Sequence, residues 1–306
     1  MEPVTQNEST VVVNNQNTVT KGQSPWVIAR RKFLRNIPAM IGLVFLVTVT
    51  LVSMFAQYIT LPYEEVQKVN LSQMAKEPSS EFLLGTDKAG REILPRLLYG
   101  GKVSLTLAYT ITLCISVIGT IVGATAGFFG GRIDSILMRF TDFILTFPFL
   151  IFVIVLNSIF QGSGLLTLIV VISLLSWGGL ARLVRSKILA EKENEYALSA
   201  ISIGCSPFKV IVKHLLPNVM STIIVQATLL LAVMIVVETG LSFLGFGVSS
   251  STPTWGNMLQ EARSPDVLSK KWWIWVPPAA IISLTILSIN FVGEGLKDAF
   301  NPKSSR

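Results

Sequence analysis

The chain has 306 residues, of which 51% are apolar and only 14% charged, with 25 Lys and Arg against 18 Asp and Glu. An average soluble protein carries roughly 25% charged residues, whereas here the mean hydropathy reaches +0.60, which excludes an ordinary soluble enzyme. The net charge of +7 does not mark a nucleic-acid binder, because it is spread in a way that sets membrane orientation, and Cys114, Cys205 and His214 make neither a disulfide framework nor a metal-ligand set.

Residues 1–23 are rich in Thr, Asn, Gln and Val without period and are expected to be disordered. No short apolar core followed by a small-residue cleavage site marks a signal peptide. Ser24-Pro25 pairs an N-cap residue with a favoured first helical residue. Trp26, Ile28, Ala29, Phe33 and Leu34 then alternate with Arg30, Arg31, Lys32 and Arg35. That pattern predicts an amphipathic helix on the membrane surface, so residues 1–36 read as a cytoplasmic tail and surface helix.

Long charge-free gaps follow, between Arg35 and Glu64, Lys102 and Arg132, Asp142 and Arg182, and Lys271 and Glu294. Between Lys213 and Glu261, Glu238 is the one acidic or basic residue besides His214. A spanning helix needs about 20 mostly apolar residues, because lipid offers no partner to bare backbone groups. Six spans are expected, near 39–58, 105–129, 136–160, 165–181, 219–245 and 277–296. Gln161-Gly162-Ser163-Gly164 breaks the longest gap into a helical hairpin. The fold class is therefore an all-α integral membrane protein. Its parts are a first span within 37–58, a segment 59–104 on one side, a five-helix core over 105–298 and a short tail at 299–306.

Lys and Arg crowd into the segment before the first span, the turn holding Arg132 and Arg139, the stretch 182–217 and the C-terminal tail. By the positive-inside rule both termini and 182–217 are cytoplasmic, and 59–104 is extracytoplasmic. Within 59–104, Gly85-x4-Gly90-Arg91-Glu92 is a near miss for a phosphate-binding loop. Arg91 and Glu92 stand where Lys and a hydroxyl are needed, and no strand precedes them, so ATP binding is rejected there. Gly119, Gly123 and Gly127 fall on one row of the second span, where small residues let helices approach closely; packing within the bundle is the simpler use. Trp255, Trp272, Trp273 and Trp275 read as interfacial anchors beside Pro277-Pro278. Asp142 is expected to pair with Arg139. Glu238 reads first as an interhelical hydrogen-bonding group and second as a group on a translocation path. Glu294 falls near the inner end of the sixth span.

The polar island 182–217, RLVRSKILAEKENEYALSAISIGCSPFKVIVKHLLP, carries the most specific signal. Asn194 stands where it would cap a helix starting at Glu195, whose charge suits the positive helix end. Ala197, Ser199 and Ala200 would give a slim surface able to enter a partner's cleft. Gly204 permits a sharp turn. Pro207 restarts the chain into an amphipathic stretch expected to end before Pro217.

This island resembles the EAA loop of ABC-importer permeases. LLGTDKAGREILPRLLYGGKVSL before the second span, ETGLSFLGFGVSSSTPTWGNML after the fifth and NFVGEGLKDAFNPK at the end extend the likeness to the dipeptide, oligopeptide and nickel branch, C-type subunit. Gly204 and Leu216-Pro217 match the pattern, whereas Leu198 stands where the eponymous Glu is usual. The resemblance implies a type I importer bundle of six helices with no catalytic residue and no cofactor of its own. ATP and Mg²⁺ would bind to two partner ATPases docked on Glu195, Ala197, Ser199, Ala200, Gly204, Pro207, Leu216 and Pro217. A second, unlike permease and an extracytoplasmic binding protein would complete the complex in a bacterial or archaeal cytoplasmic membrane. Peptide is the expected substrate and nickel or its chelate the nearest alternative. An ion-coupled secondary transporter would want inverted repeats and broken midplane helices, and a hydrolase would want HExxH or GxSxG, which the sequence lacks.

Overall fold

The computed structural model describes residues 25–160 and 164–301. The expected disorder over 1–23, the Ser24 cap and the break at Gln161-Gly162-Ser163 lie outside the described residues. In chain order come α1 (Pro25–Arg35), α2 (Ile37–Met54), α3 (Ala56–Ile59), α4 (Tyr63–Gln67) and α5 (Ile93–Phe129). Next are α6 (Gly131–Thr146), α7 (Phe149–Ile159), α8 (Leu165–Ser176), α9 (Gly178–Lys192) and α10 (Glu195–Ser202). The last group is α11 (Pro207–Val210), α12 (Leu216–Leu244), α13 (Trp255–Gln260), α14 (Pro265–Lys270) and α15 (Trp272–Phe300). Among the described residues the one β pairing is the antiparallel bridge of Thr86 with Glu92.

Among the described residues four helical runs are long and apolar enough to cross a bilayer: α2, α5, Pro207–Leu244 and α15. Two bent pairs, α6 with α7 and α8 with α9, turn by 84° and 44° and complete the six spans of a multi-pass membrane protein. The third span is thus not the continuous helix expected over 136–160. Pro148 has no N–H to donate and forces Phe147 into an extended conformation (ψ 137°), which ends α6. In the fourth, the chain bends at Trp177 before the Gly178-Gly179 pair and continues helical to Lys192, into the basic start of the 182–217 stretch.

The helix that carries the second span begins before the span itself. α5 has 37 residues, about 55 Å at 1.5 Å per residue, against a hydrocarbon core of about 30 Å. Its first turns therefore belong to a polar cap built with residues 60–92 and 245–271. Within this cap Asp87 folds the Gly85–Gly90 turn by accepting the Ala89 and Arg91 N–H groups at 2.8 and 2.9 Å. Its carboxylate also pairs with Arg91 and with Arg96, which is only 4% exposed. Glu261, beyond the fifth span, completes the cluster 3.3 Å from Arg96. Burial first, then the nearby Asp87 carboxylate, push the Glu261 carboxyl above its ordinary range. Trp255 and Trp273 are buried in this cap instead of serving as interfacial anchors. Their indole N–H groups donate to the Leu97 and Thr86 carbonyls, and Trp272 alone of that pair-wise neighbouring set stands 57% exposed.

α5 is the hub of the bundle. Gly119, Gly123 and Gly127 present bare backbone to α9, where an added Cβ would meet Leu180, Ala181, Val184, Arg185 or Ile188. The small-residue row therefore serves packing inside the chain. Arg185 of α9 grips Asp134 of α6 through two hydrogen bonds of 2.5 Å. Asp142 pairs with Arg182 of α9 and not with Arg139, because the hairpin brings α9 alongside α6. α1 lies across the end of α15, with Trp26 edge-on to Phe300 at 5.2 Å.

Candidate functional site

The end of the bundle opposite the cap carries α10, a two-turn helix between α9 and the run that becomes α12. Asn194 occupies the N-cap position in extended conformation (ψ 147°), but its side chain does not cap. Its amide donates to Glu191 Oε2 at 2.8 Å, and Tyr196 donates its hydroxyl to the same oxygen at 2.6 Å. The Asn194 and Tyr196 side chains thus both donate to Glu191, which latches α10 to the end of α9. Burial, then this hydrogen bond, hold the Tyr196 phenol above its usual range. Lys192 donates to the Phe128 carbonyl at 2.6 Å, fastening the same corner to the last turn of α5.

The far end of α10 closes by a Schellman arrangement. Cys205 N–H reaches the Ala200 carbonyl at 3.1 Å, Gly204 N–H reaches Ile201 at 3.0 Å, and Gly204 takes φ +79°. The sharp turn expected at Gly204 is present, in open space on the surface. Pro207 then starts α11 at its first helical position, where no N–H is needed.

The helix does not stop before Pro217. It runs from Pro207 to Leu244 through a π turn at Ile211–Leu215, with Leu216 N–H bonded to the Ile211 carbonyl. The wider turn accommodates the proline that an α register would reject. Asn218 donates its side-chain amide to the His214 carbonyl at 2.9 Å, satisfying one group of the loosened ladder. Leu216 is half-buried and Pro217 exposed at this joint.

The faces of α10 also differ from expectation. Ala197 and Ala200 are buried against Ile188, Val210 and Leu215, so they anchor the helix to the bundle and offer no slim surface to a partner. Glu195 and Ser199 are exposed. Beside them stands an apolar ridge that sequence reasoning missed: Leu198, Ile201, Ile203 at 80% exposure and, across the turn, Phe208 at 77%. The signal was available, since 198 and 201 are one helical step from the inward pair 197 and 200. Leu198, the departure from the usual acid, is part of that exposed ridge.

Glu238 lies far from α10, at the cap end of α12, and is buried. Its two oxygens accept from Ser104 of α5 at 3.1 Å and from Ser242 at 2.9 Å. The Ser104 oxygen in turn accepts the buried Trp255 N–H at 3.2 Å. This carboxyl therefore joins α5, α12 and the start of α13. Glu294 is exposed on α15.

Residues 119–306 match the family described as binding-protein-dependent transport system inner membrane component, and residues 24–78 match the N-terminal TM domain of oligopeptide transport permease C. A peptide permease protein of Brucella suis biovar 1 is 38% identical over 287 residues, 94% of this chain and 94% of its own. The oligopeptide transport system permease protein OppC of Lactococcus lactis subsp. lactis is 38% identical over 260 residues, 85% of this chain and 88% of its own. The dipeptide transport system permease protein DppC of Bacillus subtilis is 38% identical over 278 residues, 91% of this chain and 86% of its own. With its six-span helical bundle, the chain belongs to the family of binding-protein-dependent inner-membrane transport components, the permease subunits of ABC importers, and within it to the oligopeptide and dipeptide C-type branch.

Proposed function

We propose that this permease imports short peptides, with its N- and C-termini and α10 in the cytoplasm and the polar cap outside. Two partner ATPases bind ATP and Mg²⁺ and dock on the α10 corner. A second, unlike permease completes the path, and a binding protein delivers peptide to the cap side. The peptide assignment is supported by relatives named for oligopeptide and dipeptide transport that span most of this chain. Docking is supported by one observation above all: α10 is fixed to the bundle through Ala197 and Ala200 while Leu198, Ile201, Ile203 and Phe208 stand bare beside Gly204. Apolar side chains held this firmly in the open suit an apolar cleft on a partner.

Motion at that corner would be carried inward by rigid contacts. Glu191, Lys192 and the glycine row bind α10, α9 and the end of α5 into one block. ATP-driven approach of the ATPases would then shift the block between two states bound with different strength.

The test uses the full complex in proteoliposomes. Ile203→Ser with Phe208→Ser removes exposed apolar surface only, so membrane insertion and pairing with the second permease should be unchanged. Gly204→Asp adds bulk and charge at the turn. Both variants should lose peptide uptake and transport-linked ATP hydrolysis by about tenfold or more, about 1.4 kcal/mol on the limiting barrier. Full transport by both sinks the docking assignment.

A further inference from the structure

α1 turns one side to the bundle and leaves its cations outside. Ala29 is buried and Phe33 half-buried, and Phe33 meets the same point of α15 as Ala39 of α2, since a Cβ added at Gly295 would touch both side chains. A residue two positions from an inward one lies about 200° around the helix, on its opposite side. Arg31 and Arg35 are therefore neighbours on the outward side of α1, one turn apart, and both are exposed. By the same rule Ile37, Ile41 and Val44 lie outward on α2, opposite the buried Ala39 and Gly42, and they stand 61–71% exposed. Because the inward sides of α1 and α2 converge at Gly295, their outward sides adjoin: cations first, then a row of bare aliphatic side chains.

The cations surround open space. A hollow of about 270 Å³ is lined by Ile28, Arg31, Lys32 and Arg35. A second, of about 300 Å³, runs from Lys32 and Arg35 to Asn36 and the end of α15, where Asp298 is the one acid on either wall. Among the described residues no carboxylate forms an ion pair with Arg30, Arg31, Lys32 or Arg35. Lys32 donates to the Asn301 carbonyl at 3.5 Å, which leaves its charge unopposed. Beyond the described residues the sequence adds two acidic side chains, Glu2 and Glu8, and three basic ones, Lys21, Lys303 and Arg306, so the balance stays positive.

We infer that this face seats an anionic phospholipid, with its phosphate on Arg31, Lys32 and Arg35 and its acyl chains along Ile37, Ile41 and Val44. The inference is separate from the import reading and does not rest on it. Guanidinium groups suit phosphate oxygens by charge and by their paired N–H groups. Cationic clusters beside a spanning helix attract anionic headgroups, and a helix mixing cations with apolar side chains lies at that depth of the membrane. The order of groups separates a lipid from a free phosphate: the aliphatic row begins two residues after Arg35, on a helix that crosses the bilayer, so charge gives way to hydrocarbon on the protein as it does along a phospholipid. A zwitterionic headgroup would bring its own cation to walls that already carry three cations against Asp298.

The experiment places the full chain in nanodiscs of mixed phosphatidylglycerol and phosphatidylcholine, releases it into detergent and weighs the lipid it keeps by native mass spectrometry. The unmodified chain should retain phosphatidylglycerol over phosphatidylcholine by about tenfold or more. Arg31→Gln, Lys32→Gln and Arg35→Gln together should abolish that preference. Arg132→Gln, Arg139→Gln and Lys187→Gln remove the same charge from exposed positions elsewhere and should leave the preference intact. Excess inorganic phosphate should not displace the retained lipid. Equal retention of the two lipids by the unmodified chain overturns the site, whatever the variants do. A preference that survives the first triple substitution, or is lost equally in the second, overturns the assignment to α1. Displacement by inorganic phosphate makes the site one for a free anion and overturns the lipid assignment. No peptide, ATP or partner enters these measurements, so the importer reading stands or falls by its own test.

Discussion

Gly123 and Gly240 lie on two spans of the same bundle, and the same substitution at each should move stability in opposite directions. Replacing a mid-helix glycine by alanine favours the helix by about 0.8–1.0 kcal/mol, wherever the added methyl has room. At Gly240 nothing lies within 4 Å of the new Cβ, so that gain is realised in full. At Gly123 the new Cβ would fall 2.8 Å from Val184 Cβ and 3.0 Å from Arg185 N, and closer still to the Ala181 carbonyl oxygen. Two of these three atoms are backbone, so the contact cannot be relieved by a rotamer change. α5 and α9 must separate instead. Overpacking of this kind costs about 1–3 kcal/mol, and the backbone contacts put Gly123→Ala near the upper end, for a net loss of about 2 kcal/mol. At about 2–4 °C per kcal/mol for chains near this size, the denaturation midpoint should fall by about 4 °C or more in Gly123→Ala and rise by about 2 °C in Gly240→Ala. Thermal unfolding of the purified chain in one detergent, followed by tryptophan fluorescence, measures both. A Gly123→Ala protein as stable as Gly240→Ala would refute the close approach of α5 and α9.

For Glu238, Glu238→Gln should keep one acceptor and gain a donor between Ser104 and Ser242, leaving assembly and uptake near wild type. Glu238→Leu strands those hydroxyls and should destabilise the assembled complex by about 1–3 kcal/mol; a well-assembled Glu238→Gln complex with uptake cut tenfold would instead place the carboxyl in substrate handling. Orientation is checked by single cysteines at Ser80 and Ser206, both exposed. In intact cells a membrane-impermeant thiol reagent should modify Ser80→Cys alone, and equal modification of both would reverse or break the proposed topology.

Span number was legible because it depends on one strong term, the exclusion of charge from lipid, which any run of about 20 residues must obey. Span shape was not, because it turns on single residues inside apolar runs. Pro148 looks tolerable in a spanning helix, yet here it divides α6 from α7, whereas Pro277 and Pro278 lie inside α15 without ending it. Pro217 is the converse: its local rule predicts a stop, and the π turn before it absorbs the misfit. The ion pairs were hidden for a different reason. Arg139 is near Asp142 in sequence, but the pairing that forms depends on α9 lying along α6, which is a tertiary fact.

The α10 corner shows where residue type and residue role part company. Small, slim Ala197 and Ala200 suggested an inserting surface, but small residues serve equally to let a helix lie close on its own bundle, and burial decides for the latter. What remains outward is the apolar ridge, so the proposed docking there would depend on shape and apolar area more than on an ion pair at position 198. α5 gives that corner a long reach. One helix of 37 residues runs from Phe128, held by Lys192, to Arg96 and Ser104, held by Asp87, Glu261 and Glu238. Its glycine row keeps it flush with α9 along the way, and buried polar contacts fix its outer turns. A displacement of the loop corner therefore cannot be absorbed locally without opening one of those contacts, and the cap must move with it or resist it. Stiffness of this kind is what the proposed coupling asks of the permease, since force applied at one face would have to change access at the other.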